Sequence, residues 1–280
     1  MHSLRKVLIT GNKGFVARNL IRYLESQQVQ CCGFDQNEDF TPLKSQHYDA
    51  IFHLAAIART AECTEAPFGK AHDSNIGLTC TILSDFSFDR IVYTSSCAIY
   101  GDQPTLPITE ESLPNPPSVY AAQKFMSERY VHFTRQHARQ PSVCLRLFNV
   151  YGETQSKDGS YPNVIASFLR SLKTKGYIEV TGDGTQSRDF VFVDDVVDAL
   201  VRSASISNGN HVFNVSTGVQ TPIITIARML SDNITFVPPR PFDIQHQVAD
   251  SSKIESALRW KSMIDITTGI NRIKKYEGLL

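Results

Sequence analysis

The chain has 280 residues, enough to bury the core of one large α/β domain, or of a main domain with a smaller one appended. Apolar residues make up 41% and charged residues 20%, which excludes a disordered tail. Twenty-eight basic residues balance 28 acidic ones, which argues against a broad nucleic-acid binder, and no apolar run is long enough to span a membrane.

Lys6-Val-Leu-Ile-Thr10 reads as a short strand ending at a glycine turn. No h-region precedes it, so no secretory signal and a cytoplasmic location are expected. Residues 14–27 have helical period, with Phe15, Leu20, Ile21 and Leu24 facing inward. Strands follow at 29–34 and 50–55, a helix at 73–86, a strand at 90–95, a long helix at 120–139 and a strand at 143–148. This alternation predicts a Rossmann-type, doubly wound parallel sheet with helices on both faces. After about residue 150, proline and glycine become denser, with helices expected at 160–174 and 194–204. The expected division is a dinucleotide-binding domain over 1–150 and a smaller substrate-binding lobe over 151–280, with chain crossings between them. The cysteines at 31, 32, 63, 80, 97 and 144 form no CxxC pair and match no zinc spacing, so reduced thiols and no metal site are expected.

Gly11-Asn-Lys-Gly14-Phe15-Val16-Ala17 is G-x-x-G-x-x-A between a strand and a helix. Gly11 suits the tight turn, Gly14 lets backbone approach a pyrophosphate, and Ala17 is small enough for close helix–strand packing. Asp35 ends the second strand 21 positions after Gly14, where a carboxylate can accept both hydroxyls of an adenosine ribose and repel a 2′-phosphate. NAD is therefore expected over NADP. Tyr120-Ala-Ala-Gln-Lys124 puts a phenol and an ammonium on one helix face. The lysine is expected to lower the tyrosine pKa, so that the phenol can exchange a proton with a sugar hydroxyl. Ser96, in Thr94-Ser-Ser-Cys-Ala-Ile-Tyr-Gly101, can hydrogen-bond the reacting oxygen.

With these motifs in order, the sequence resembles the extended short-chain dehydrogenases/reductases, in particular their NAD-dependent nucleotide-sugar epimerase/dehydratase branch. Further carriers of the resemblance are Phe52-His-Leu-Ala-Ala56, Leu147-Phe-Asn-Val-Tyr-Gly152, Gly182-Asp-Gly-Thr-Gln-Ser-Arg-Asp-Phe190 and Asp250-Ser-Ser-Lys-Ile-Glu-Ser-Ala-Leu-Arg-Trp260. The resemblance implies Ser96, Tyr120 and Lys124 as catalytic residues. It implies Leu54, Ala55, Ala56, Asn75, Ser95 and Phe148 beside the cofactor, with Gly11, Gly14, Phe15, Val16 and Asp35. For a nucleotide-sugar substrate, a UDP-sugar favoured, it implies Cys97, Asn149, Asn163, Arg188, Arg240 and Asp243. It also implies a homodimer through the helices at 73–86 and 120–138, with Phe86, Phe125 and Phe133 as candidate contacts.

The 4,6-dehydratases of that branch carry an Asp-Glu pair where this chain has Cys97 and Ala98, so no acid is available to expel water from C6. A C4 epimerase needs only oxidation, rotation of the keto sugar and hydride return, and is the expected activity. A 4-ketoreductase is the alternative. In GDP-fucose-synthase-like relatives a cysteine works with a histidine, yet no histidine lies between His137 and His211 here. A regulator that binds dinucleotide without catalysis is the second alternative. Two departures stand out. Only 13 residues separate Asp35 from Asp49, so the adenine side is expected to be trimmed by one shortened or missing element. Phe242 replaces the glycine usual between Arg240-Pro and Asp243.

Overall fold

The computed structural model describes residues 4–58, 60–155, 163–239 and 244–279. In chain order the first elements are β1 (Lys6–Thr10), α1 (Phe15–Ser26), β2 (Gln30–Phe34), β3 (His47–Tyr48), β4 (Ala50–His53), α2 (Thr60–Glu65), α3 (Lys70–His72), α4 (Leu78–Asp85), β5 (Ser87–Phe88) and β6 (Ile91–Ser96). They continue with α5 (Val119–Ala138), β7 (Ser142–Leu147), β8 (Asn149–Tyr151), α6 (Val164–Lys175), β9 (Ile178–Thr181), β10 (Ser187–Phe192), α7 (Val193–Ser203) and β11 (Asn210–Val215). The last are β12 (Gln220–Pro222), α8 (Ile223–Leu230), β13 (Ile234–Val237), α9 (Ser252–Leu258) and α10 (Ile266–Tyr276).

The main sheet runs β11-β7-β6-β4-β1-β2, and every pairing in it is parallel. Alternation along the strands splits the core in two. Val7, Ile9, Phe52 and Val92 pack on one face with Leu20 of α1 and Leu200 of α7. Leu8, Ile51, Ile91 and Tyr93 pack on the other with Ile82 of α4 and Val131 of α5. A further core, including Tyr151, Phe190, Phe192 and Ile226, fills the space around β10, α6 and α8. The chain returns from that region to place β11 beside β7 in the main sheet.

Between β2 and β4 stand only a 3-10 turn, Thr41–Leu43, and the two-residue β3, which pairs with β5 outside the main sheet. The short interval holds no α-helix, and β2 becomes the edge of the sheet. The expected helix at 73–86 is a run of three pieces, α3, a π-helical turn over Asp73–Gly77, and α4. A π turn holds one residue more than an α turn, and such bulges recur at functional sites. Asn75 lies in it, and its carbonyl accepts the hydroxyls of Thr79 at 3.0 Å and of Ser127 on α5 at 2.7 Å. The helix expected from 160 begins at Val164, with Asn163 as its N-cap, while residues 156–162 lie outside the described ones.

Candidate active site

Two adjoining cavities open at the C-terminal ends of the parallel strands, where ligands bind in open α/β sheets. The outer one, of about 550 Å³, is lined by Gly11, Gly14, Asp35, Glu38, Leu54, Ala55 and Ala56, with Lys70 and Asp73 on its helical wall. Gly11 has φ +67°, and a Cβ there would lie 2.8 Å from the Ala55 Cα, so only glycine closes this turn. Asp35 accepts the main-chain N–H groups of Lys13 at 2.9 Å and Gln36 at 2.6 Å, one on each oxygen. Each oxygen keeps a lone pair for a ribose hydroxyl.

The inner cavity, of about 300 Å³, shares Leu54 and Ala56 with the outer one and is lined by Phe15, Val16, Ser95, Ser96, Tyr120, Lys124 and Phe148. Three sequence signals separated along the chain thus meet on one surface. Ser118 caps α5 by accepting the Ala121 N–H at 3.2 Å, which fixes where the helix starts and so where Tyr120 points. Ser96 accepts the Ala98 N–H at 3.2 Å and hydrogen-bonds Tyr120. The Ser95 hydroxyl is buried with no partner among the described residues.

The electrostatics differ from the expectation that Lys124 lowers the Tyr120 pKa. The Lys124 ammonium donates to the Thr94 carbonyl at 2.7 Å and lies 4.7 Å over the Tyr93 ring. Burial without a carboxylate partner pushes it down to about 7, so it carries only part of its charge at neutral pH. Burial also pushes the Tyr120 phenol up to about 12, against the smaller lowering from the Ser96 hydrogen bond. In the protein alone, burial and not Lys124 sets the direction of the Tyr120 shift.

Several of the expected site residues line neither of these two cavities. Asn75 accepts the Ile57 N–H at 2.8 Å and donates to the Ile57 carbonyl at 3.1 Å, so it shapes the shared wall from behind. Cys97 lies 3.5 Å from the Gln247 amide oxygen, and burial pushes its thiol up to about 12. Asn149 donates to the Asp189 carbonyl at 2.9 Å, and Asn163 to the Val150 carbonyl at 2.8 Å. Arg188 donates to the Ser187 carbonyl at 2.9 Å. Arg240 and Asp243 lie outside the described residues.

Sequence reading missed other supports. Gln123, buried between Tyr120 and Lys124, accepts from Asn75 at 2.8 Å and donates to the Pro67 carbonyl at 3.2 Å. His53 lies 2.7 Å from the Thr10 hydroxyl and 2.9 Å from that of Thr79, and burial holds it neutral at about 3. Thr10 in turn accepts the Ala55 N–H at 3.1 Å, which holds the wall between the cavities. Glu128, four residues beyond Lys124, grips Arg146 of β7 in two bonds of 2.6 and 3.1 Å. An arginine inside an apolar strand was the available signal for such a partner.

The sequence matches the model of the NAD dependent epimerase/dehydratase family over residues 7–216. The chain belongs to that family. Among curated relatives of this epimerase/dehydratase, a UDP-glucose 4-epimerase of Mycolicibacterium smegmatis is 29% identical, over 97% of this chain and 98% of that protein. A dTDP-L-rhamnose 4-epimerase of Burkholderia thailandensis is 27% identical, over 85% and 76%. Among solved structures, the UDP-glucose 4-epimerase of Thermotoga maritima with UDP-glucose superposes with a TM-score of 0.90 at 24% identity, covering 97% of this chain and 98% of that one. The UDP-glucuronic acid 4-epimerase of Bacillus cereus, in complex with UDP-glucuronic acid and NAD, gives 0.87 at 24%, covering 98% and 99%. The family's cofactor is NAD, and the residues here suit it: a glycine turn that a Cβ would obstruct, the N-terminus of the twelve-residue α1, Asp35 with spare lone pairs, and the unpartnered Ser95 hydroxyl. No helix among the described residues is long and apolar enough to cross a membrane.

Proposed function

We propose that the protein is an NAD-dependent nucleotide-sugar epimerase acting at C4 of the hexose. The observation that carries this reading is the convergence of Ser96, Tyr120 and Lys124 on one cavity that continues into the glycine-turn cavity. Gly11, Gly14 and Asp35 would hold NAD through its pyrophosphate and adenosine ribose, with Ser95 and Phe148 at the nicotinamide end. Bound there, NAD supplies a reversible hydride acceptor. Tyr120 moves the proton of the C4 hydroxyl, Ser96 holds that oxygen by hydrogen bonding, and Lys124, part-charged at neutral pH, is the cation nearest the reacting groups. Cys97 and Ala98 offer no acid for expelling water at C6, which favours epimerisation over dehydration. A thiol held near 12 with a glutamine partner also makes Cys97 a poor acid for ketoreduction.

The reading takes residues 1–150 as the cofactor domain and 151–280 as mainly the substrate lobe, with Asn149, Asn163, Arg188, Arg240 and Asp243 on the nucleotide diphosphate side. The substrates in the names of the relatives favour a UDP-sugar. Six free cysteines favour a reducing, cytoplasmic setting. Of the three phenylalanines considered for a dimer, Phe86 is buried and Phe125 packs in an internal cluster, while Phe133 is exposed. Phe133 shares an exposed face of α5 with Met126 and Tyr130, which supports pairing of that face with a second copy. Phe133→Asp is expected to give the mass of a monomer in sedimentation where the unaltered protein gives that of a dimer.

Proton NMR in D2O, with catalytic NAD and UDP-, GDP-, CDP- and dTDP-hexoses, tests the activity. A C4 epimer that gains no deuterium is the expected result. Conversion only of a 4-keto sugar, with stoichiometric NADH, would replace the epimerase by a reductase.

A further inference from the structure

The ribose end of the outer cavity carries more charge than Asp35 alone. Lys13 stands in the glycine turn, and its ammonium pairs with Glu38 Oε1 at 2.5 Å. Glu38 lies in the turn after β2 and lines the cavity, and its Oε2 accepts the Asp35 N–H at 2.7 Å. Asp35 Oδ2 in turn accepts the main-chain N–H of Lys13 at 2.9 Å. Lys13, Asp35 and Glu38 thus form a closed ring at the mouth of the ribose site. The pairing raises the Lys13 pKa and lowers that of Glu38, so both stay charged at neutral pH.

We infer that Glu38 is a second determinant of NAD over NADP, acting by neutralising the one cation of this ring. A 2′-phosphate at the ribose needs a cation close by, and Asp35 repels it. Lys13 sits on the same rim, with its N–H already on Asp35. Glu38 engages that ammonium and adds a second carboxylate to the cavity wall. Removing the Glu38 charge therefore does two things at once: it deletes a repulsion and frees Lys13 to meet the phosphate. Lys70, which lines the cavity, stands on the α3 wall, outside this ring.

The inference rests on the outer cavity being the NAD site, and direct binding separates the two. Calorimetric titration with NAD+ and NADP+ would be made on the unaltered protein, on Glu38→Gln and on the double variant Lys13→Gln/Glu38→Gln. Both side chains are on the surface, so the fold is expected to survive. Preference for NAD+ in the unaltered protein should narrow about tenfold in Glu38→Gln, and less so as salt rises. The double variant should lose most of that gain. An unchanged ratio in Glu38→Gln overturns the inference while leaving the NAD site standing. An equal gain in the double variant overturns the role of Lys13. Failure of the unaltered protein to bind either dinucleotide overturns the site and the inference together.

Discussion

Lys124 of α5 and Arg146 of β7 are both buried between that helix and the main sheet, yet the fold treats them in opposite ways. Arg146 meets Glu128 in a bidentate pair and also donates to the Tyr100 hydroxyl at 2.8 Å, which donates to Asn214 at 2.6 Å. Its charge is locked, and its pKa is held above the ordinary range by those partners despite burial. Lys124, one turn earlier on the facing helix, has a carbonyl and a ring instead of a carboxylate. Its charge is left close to balance at neutral pH. A buried guanidinium held by a carboxylate in two bonds fixes the position of a helix. A buried lysine that can titrate serves chemistry, at some cost in stability.

Removing a reacting group is the severest way to test this contrast. Tyr120→Phe is expected to lower kcat by about a thousandfold, as loss of a general acid–base group does, while calorimetry still finds NAD bound. Retained turnover would remove Tyr120 from the chemistry. Next comes the locked pair. Glu128→Ala leaves the Arg146 guanidinium buried without its carboxylate, and should cost about 3–5 kcal/mol in urea denaturation. A loss under about 1 kcal/mol would mean that the pair is ornamental to stability.

Lys124→Met separates the two cations by pH. Folded Lys124 gives up its proton near pH 7, whereas its ordinary value is 10.5. Across that window the unfolded chain binds the extra proton, so the lysine depresses stability most below pH 7 and the penalty fades as pH rises toward 10.5. The melting temperature of Lys124→Met relative to the unaltered protein should therefore be most favourable near pH 6 and decline steadily toward pH 10. A difference independent of pH would place a hydrogen-bond acceptor, such as a water, beside the ammonium. The smallest effect concerns the wall behind the cavities. Gln123→Ala removes two hydrogen bonds, to Asn75 and to the Pro67 carbonyl, and should cost about 1–3 kcal/mol with weaker NAD binding by calorimetry.

Local patterns made much of this arrangement legible. The strand–turn–helix from Lys6 to Ser26 follows from an apolar run, two glycines and helical period. Tyr120 and Lys124 share a face because they are four apart. The trimmed interval between Asp35 and Asp49 could be counted directly, and the structure has no α-helix there, only the 3-10 turn and β3. What stayed hidden depends on distant partners. The direction of the Tyr120 pKa is decided by burial, which spacing does not reveal. The Asn75 amide bonds both main-chain groups of Ile57, a partner that no local pattern announces. The part played by Glu38 depends on Lys13, which the fold brings against it from 25 residues earlier in the chain.

The π turn at Asp73–Gly77 has a consequence for the length of the chain itself. Each α-helical residue turns the chain by about 100°. Deleting a single residue from this turn would let an unbroken α-helix form from Lys70 to Asp85, a gain in local regularity. It would also rotate one side of the break against the other by that angle. The Asn75 amide could then no longer face Ile57 while its carbonyl still met Thr79 and Ser127. Here a length change should be less tolerable than many substitutions, and an irregularity becomes the part of the helix with the least freedom to drift.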